Sequence, residues 1–280
     1  IVNSGNANAY TGKNGIASIK KYSTFASQIF NCKLNQVFVS STGVIGEQLQ
    51  PNPIIKKLKL INNIHPKNLI HAAKAIMTTD TYPKVALETI RINEKNVRIY
   101  GIAKGSGMIA PNMGTMLSYV FIEAPLSGKT LDKLLKKNIE DSFNSISVDG
   151  DMSTNDTVMM FAIGNIILKN IGVKTKNFKL LANAARKIMQ SLAKQIVSDG
   201  EGISKLIEVN IYKAKNINQA KKVAFSIAES LLVKTAICGE DANWVRVIMA
   251  IGKPLEKIDP NKISLSFGEH IIVQNGVISK

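Results

Sequence analysis

The segment KGSGMIAPNMGTML, Lys104 to Leu117, constrains the fold of this chain more than any other stretch. It lies between two runs of strand formers, Val97 to Ile102 and Met116 to Ile122, and it contains Gly105, Gly107, Pro111, Asn112 and Gly114. Such residues permit or fix unusual φ angles, so the backbone can be held there in a strained, irregular path. A hydroxyl beside strained backbone has a chemical use. If the Gly114–Thr115 peptide is pinned out of its resting geometry, Thr115 Oγ1 can attack the carbonyl carbon of Gly114. The acyl group then shifts from nitrogen to oxygen, and water cuts the ester. Thr115 becomes a chain N-terminus, and its α-amine, with an ordinary pKa of about 7.7 to 8.0, can take the proton of its own Oγ1. Taken alone, however, Gly-Thr-Met-Leu after Pro-Asn is more often a turn that feeds a strand.

The pattern along the chain is that of a mixed α/β fold. Residues 15–31 read as a helix, Gln36 to Ser40 as a strand, and 53–64 and 68–77 as two further helices. Val85 to Ile92 and Val97 to Ile102 alternate across Asn93-Glu94-Lys95-Asn96, which predicts a hairpin that delivers Lys104 to the irregular segment. Leu131, Leu134, Leu135, Ile139, Phe143 and Ile146 follow helical spacing, as do Phe178, Leu181, Ala185, Ile188, Leu192 and Ile196; both helices are expected to cover a sheet. Val158 to Ile163 and Leu206 to Tyr212 read as strands and 217–232 as a helix, and Asn275-Gly276 marks a closing hairpin. The opening Asn3, Ser4, Gly5, Asn6 and Asn8 reads as a polar loop. DGDMSTND, from Asp149, resembles the start of a calcium loop but lacks the glycine and the bidentate glutamate that such a loop needs, and is read as a polar loop with no assigned role.

Length and charge exclude some functions. A chain of 280 residues, 45% hydrophobic, can bury a sizeable core as one large domain or two ordinary ones. No apolar run approaches the ~18 residues of a membrane span, and IVNSGNANAY lacks the pattern of a signal peptide. The formal charge of +16 raises the question of nucleic acid, an anionic membrane or acidic small substrates as partners. The lysines are scattered over helix-like segments with few aromatics, which favours solvated helix faces over a nucleic-acid surface. Cys32 and Cys238 have no CxxC spacing and are expected as small core residues of a reduced, cytosolic protein. His65, His71 and His270 are not spaced as a metal site, and no cofactor is implied. The chain begins at Ile1 rather than methionine, which suggests a processed protein or a fragment.

Several loop residues are candidates for a site, each with a plainer reading beside it. Thr42 and Gly43 at a strand end can form an oxyanion hole or simply turn the chain. Thr78 and Thr79 sit in the hydroxylic loop TTDTYPK, Lys104 is a loop lysine suited to a substrate carboxylate, and Glu201 is an acidic residue between two glycines.

Seven stretches, in order, carry a resemblance: VNSGNANAYTG, SSTGVIGE, MTTDTYPK, GIAKGSGMIAPNMGTML, VDGDMSTNDT, SDGEGISK and KTAICGEDANW. Together they resemble the self-cleaving bifunctional ornithine acetyltransferases of arginine biosynthesis, also called glutamate N-acetyltransferases. That family implies layered sheets sandwiched by helices, with a smaller C-terminal α+β part from about residue 200. It also implies cleavage between Gly114 and Thr115 into portions 1–114 and 115–280, which assemble as two alpha and two beta chains. The reaction implied is acetyl transfer from N2-acetylornithine to glutamate through Thr115, with acetyl-CoA a co-substrate in some relatives. Thr42 and Gly43 would hold the oxyanion, while Thr78, Lys104 and Glu201 would bind substrate. Neither nucleic acid nor membrane is an implied partner. Family members extend beyond both ends of this chain, which is expected to be an internal piece lacking a C-terminal region that completes the substrate pocket. They also usually have Ala where Gly114 stands. The rival readings are a self-cleaving aminopeptidase of related fold, a basic nucleic-acid-binding domain and an inactive fragment.

Overall fold

The computed structural model describes residues 1–61, 68–110, 116–164, 166, 168–169 and 171–279. The chain divides into two compact units, Ile1–Glu201 and Gly202–Lys280. In the first, a four-stranded sheet runs in the order β3 (Lys84–Ile92), β4 (Lys95–Lys104), β5 (Leu117–Ile122), β6 (Thr157–Ala162). The first three strands are antiparallel neighbours and β6 pairs with β5 in parallel. The tight β3–β4 turn falls on Asn93 and Glu94, both at positive φ (48° and 62°), which suits the right-handed twist of a two-residue hairpin.

Strand alternation decides what each face touches. Val97, Ile99 and Ala103 of β4, with Val120 and Ile122 of β5, face α4 (Gly128–Ile139) and α5 (Lys176–Val197), and this is the main core. Helix α5 carries buried residues at helical spacing (Phe178, Leu181, Ala185, Ile188, Leu192, Ile196) and is capped by Thr175 Oγ1, which accepts from the Phe178 amide at 3.2 Å. On the opposite face, Ile102, Leu117 and Tyr119 meet Ala73 and Ile76 from α3 (Leu69–Ala75) and its end, together with Val2. The sheet is thus sandwiched by helices, as the sequence and the resemblance lead one to expect. Helices α1 (Gly12–Ile29) and α2 (Pro51–Lys59) pack on each other. The second unit holds α6 (Ile217–Ala228), α7 (Leu231–Cys238) and α8 (Trp244–Gly252) with a three-stranded antiparallel sheet of β7 (Leu265–Phe267), β8 (His270–Gln274) and β9 (Val277–Ile278). Asn275 and Gly276 form its last turn at φ 48° and 77°.

Four expectations change. The opening residues are not a loop: Val2–Asn6 is strand β1, and it pairs in parallel with β2, Ser40–Val44. The apolar run Gln36 to Ser40 is mostly outside the strand, which is formed by the polar SSTGV that follows it. Main-chain pairing with β1 overrides side-chain propensity there. Leu206 to Tyr212 forms no strand among the described residues; its alternate residues Val209 and Ile211 pack on the second unit's core, so the period-2 pattern reports burial without a ladder. Finally, Cys32 is only half-buried and Cys238 is exposed. His65 lies outside the described residues.

Candidate active site

The polar strands β1 and β2 build one wall. Their register places Gly5 opposite Gly43. A Cβ on Gly43 would lie 2.3 Å from the Gly5 carbonyl carbon, and Gly43 has a φ of 129°, so only glycine fits. Its neighbour Thr42 is 1% exposed, and its Oγ1 accepts a hydrogen bond from Lys104 Nζ at 3.1 Å.

Lys104 is the last residue of β4 and shares the face of Ile102, which is why a lysine there is buried, at 3% exposed. Burial pushes its ammonium below the usual lysine range, an effect opposed by Asp80, Glu201 and Asp156 and reinforced by Lys84. Beside it stands a second buried cation. Lys84 Nζ lies 2.6 Å from Asp80 Oδ1 and 2.6 Å from Asp199 Oδ2. Asp80 also accepts from the amides of Gly105 (2.7 Å) and Thr78 (3.1 Å), and Asp199 accepts from the amide and hydroxyl of Thr81. Burial alone would raise both carboxyls. Lys84 and these donors outweigh it and hold both below the usual carboxylate range.

Glu201 follows on from Asp199. Its amide donates to the Ser106 carbonyl at 2.9 Å, and Ser106 Oγ donates to the Asp199 carbonyl at 2.6 Å. A Cβ on Gly107 would sit 2.8 Å from the Glu201 carboxyl carbon; the missing side chain leaves room for that carboxylate. Glu201 itself is exposed.

The polar loop 149–156, which the sequence leaves without a role, bonds to described residues at either end of the irregular segment. Asp149 accepts from the amides of Met108 (2.6 Å) and Ile109 (3.0 Å). Asp156 Oδ1 accepts from the amide of Met116 at 2.9 Å, and the Thr157 amide donates to the Met116 carbonyl at 3.0 Å. Asn155 Nδ2 donates to the carbonyls of Ala7 and Ser41, tying this loop to β1 and β2. Sequence reasoning misses Asn155, Asp156, Lys84 and Asp199. The one available signal is a dense run of Asp and Asn between an amphipathic helix and a strand, which is a surplus of side-chain acceptors for backbone amides.

The structure therefore gathers Thr42, Gly43, Lys104, Glu201 and the loop of Thr78 around the Asp80–Lys84–Asp199 cluster. Thr78 and Thr79 are both exposed there, and the geometry does not choose between them. Gly114 and Thr115 lie outside the described residues. A cleft of about 770 Å³ lined by Leu69, Val85, Leu87, Tyr100 and Phe121 contains none of the candidate residues.

A protein so built is an α/β enzyme: a buried ammonium beside a buried hydroxyl, anchored by charges that a fold without chemistry to perform gains little by hiding. Comparison with known proteins narrows the class. The model of the ArgJ family matches residues 1–280. The arginine biosynthesis bifunctional protein ArgJ of Bradyrhizobium diazoefficiens is 45% identical over 281 residues, covering 99% of this chain and 68% of that protein. The protein of the same name from Bartonella henselae is 45% identical over 278 residues with the same coverage. A crystal structure of the arginine biosynthesis bifunctional protein argJ from Bacillus halodurans aligns with a TM-score of 0.52 and 34% identity, over 57% of this chain and 76% of that one. The chain belongs to the ArgJ family, and so to the acyltransferases of arginine biosynthesis, which act on small-molecule substrates.

Proposed function

We propose that the protein transfers an acetyl group from N2-acetylornithine to glutamate through an acetyl ester on Thr115, after the chain is cut between Gly114 and Thr115. The observation that carries this reading is the buried pair Lys104 Nζ and Thr42 Oγ1, 3.1 Å apart, held beside the strand whose first residues follow Thr115. In the cut form, the α-amine of Thr115 accepts the Oγ1 proton as Oγ1 adds to the acetyl carbonyl. The tetrahedral oxyanion takes donors from Thr42 Oγ1 and the Gly43 backbone. Thr42 Oγ1 already accepts from Lys104, so its own O–H is free to donate, and the ammonium behind it strengthens that donor. Collapse breaks the amide C–N bond, the amine of ornithine leaves with the proton, and the acetyl ester remains on Thr115. The amine of glutamate attacks the ester by the same steps in reverse.

Substrate binding falls to Lys104, for a carboxylate, to Thr78, and to Glu201, for the cationic end of ornithine. No cofactor is required. Acetyl-CoA is a second acetyl donor to be tested, and two alpha and two beta portions in the cytoplasm form the working assembly.

The deciding experiment is Thr115→Ala, followed by intact mass and by transfer of acetyl to glutamate. The variant should be a single uncut species with no transfer. An uncut wild-type chain, or a variant that still transfers, would remove Thr115 from this role. Release of free acetate without acetylglutamate would mark a hydrolase instead.

A further inference from the structure

Thr42 and Lys104 meet across two sheets that share no ladder among the described residues: Thr42 belongs to the pair β1–β2 and Lys104 to the four-stranded sheet. Strands within one ladder are spaced by their backbone bonds, about 4.8 Å apart, but between two sheets side chains must set the distance. Asn155 is placed to do so. Its Nδ2 donates to the Ala7 carbonyl at 2.5 Å and to the Ser41 carbonyl at 2.9 Å. One NH2 group thus spends both protons on main-chain oxygens, the first just beyond the end of β1 and the second inside β2. The Ser41 carbonyl and the Thr42 amide form one planar peptide unit. Fixing that carbonyl fixes the plane from which Thr42 and Gly43 continue.

We propose that Asn155 is a positioning residue for the oxyanion side of the site: its amide clamps β1 and β2 so that Thr42 Oγ1 and the Gly43 backbone stand at their working distance from Lys104. This rests on the reading of Thr42 and Gly43 as oxyanion donors given above. Asn155 is itself anchored. The Thr154 hydroxyl donates to its Oδ1 at 2.9 Å, its own amide donates to Ser153 Oγ at 3.2 Å, and Thr157 Oγ1 donates to its carbonyl at 3.1 Å. Thr157 opens β6 opposite Leu117, and Leu117 lies opposite Lys104. The hold on Thr42 is therefore referred to the same ladder that carries Lys104.

The chemistry of the contact explains the residue type. Both atoms that face Nδ2 are acceptors, so an Asp of the same shape would set a carboxylate oxygen against two carbonyl oxygens, and an Ala would leave both without this donor. Oxyanion donors act through their position, and a displacement of about 1 Å can cost about a hundredfold in rate. Thr78, Lys104 and Glu201, to which substrate binding is given, sit instead on segments fastened by Asp80, Lys84 and Asp199. Loss of the Asn155 clamp therefore falls on kcat.

Asn155→Ala and the isosteric Asn155→Asp should each lower kcat about tenfold or more, counted per cut chain by intact mass, with KM nearly unchanged. The deciding readout is coupling, which a loss of stability alone does not produce. Thr42→Val by itself should cost about 10² to 10³ in kcat. Added to Asn155→Ala it should cost about tenfold or less, because a donor already out of place has less to lose. Wild-type kcat in both Asn155 variants overturns the proposal. So does a full-sized Thr42→Val loss in the Asn155→Ala background, which marks a purely structural role whatever the melting temperatures show. If Asn155→Ala does not fold, Asn155→Gln, which keeps the NH2 group on a longer arm, takes its place in the same cycle. If Asn155→Ala folds but stays uncut, Thr42→Val decides: an uncut chain there supports the proposal, since both changes then block the same oxyanion, and a cut one overturns it. The two readings also separate. If Thr42→Val alone transfers acetyl as wild type does, the oxyanion assignment falls and this inference falls with it; if it is impaired while the Asn155 variants behave as wild type, only this inference falls.

Discussion

Lys84 and Asp199 are 115 positions apart in sequence, yet Lys84 Nζ lies 2.6 Å from Asp199 Oδ2. The same ammonium is 2.6 Å from Asp80 Oδ1, and Lys84 is 0% exposed. Buried ion pairs return about what their desolvation costs, so this cluster is better understood as a tie than as a source of net stability. It fastens the start of β3, the loop after α3 and the end of α5. Those three segments present Thr78, whose amide is on Asp80; Lys104, whose following residue Gly105 also donates to Asp80; and Glu201, two residues beyond Asp199.

Removing the cation should therefore be costly in a way that removing the whole cluster is not. Lys84→Met leaves Asp80 and Asp199 facing each other without a counter-charge, and should lower stability by about 3 to 5 kcal/mol, read from the urea midpoint. Adding Asp80→Asn and Asp199→Asn to it should recover much of that loss. An unchanged midpoint in the single variant would mean that water reaches the site.

The acidic groups also set opposite slopes of stability with pH. Asp80 and Asp199 are held below the ordinary carboxylate value. Their contribution is present above the unfolded pKa of about 3.9 and is lost as the pH falls through their folded values. Asp156 is raised to about 7. Between about pH 4 and 7 the folded chain keeps a proton there that the unfolded chain has released, so stability declines as the pH rises through that window. Melting temperature measured from pH 3 to 8 should fall off at the acid end in wild type, and Asp156→Asn should flatten the decline between pH 4 and 7. A wild-type slope in that variant would show that Asp156 titrates normally.

Local pattern was enough for much of this fold. The helices α1, α4 and α5, the β3–β4 hairpin and the Asn275–Gly276 turn are legible because the burial that shapes them is periodic along the chain. Strand β1 is not, since its pairing partner lies 38 positions away, as Ser41 Oγ donating to Asn3 Oδ1 illustrates, and polar residues fill both strands. Leu206 to Tyr212 misleads for the converse reason: alternation records which side chains are covered, not whether the backbone finds a neighbour. In the site, Thr42 and Lys104 read from the sequence as ordinary loop residues until a relative's pattern singles them out, although both end up in strands. Lys84 offers no signal at all, because a lysine inside a strand is usually solvated and only three-dimensional closure by Asp199 makes it otherwise.

Gly43 is the point at which β1 and β2 admit no side chain. Gly43→Ala adds a Cβ 2.3 Å from the Gly5 carbonyl carbon at a φ of 129°, a conformation and an approach that no alanine tolerates. The two strands must separate, and Thr42 moves with them. Acetyl transfer should drop by about two orders of magnitude, the loss expected of a missing oxyanion donor, with a smaller fall in melting temperature. Gly46, where a Cβ meets nothing within 4 Å but φ is also positive at 87°, is the control. Gly46→Ala shares the strain without the collision, and should keep most of the activity. Equal losses in both variants would assign the effect to backbone strain rather than to the fit of the two strands.

The hydrogen bond from Lys104 to Thr42 makes the roles of hydroxyl and ammonium separable. Thr42→Ser keeps the oxygen and should transfer acetyl within about a few fold of wild type. Thr42→Val keeps the volume and removes the donor, so kcat should fall by about 10² to 10³ with KM little altered, as expected when a contact strengthens mainly in the transition state. It also strips the buried Lys104 ammonium of an acceptor, which should push that already lowered group further down. Lys104→Met should differ in kind. If the ammonium binds a substrate carboxylate as well as polarising Thr42, KM for the acetyl donor rises and kcat falls together. A fall in kcat alone would confine Lys104 to the oxyanion side, and the carboxylate would need another cation.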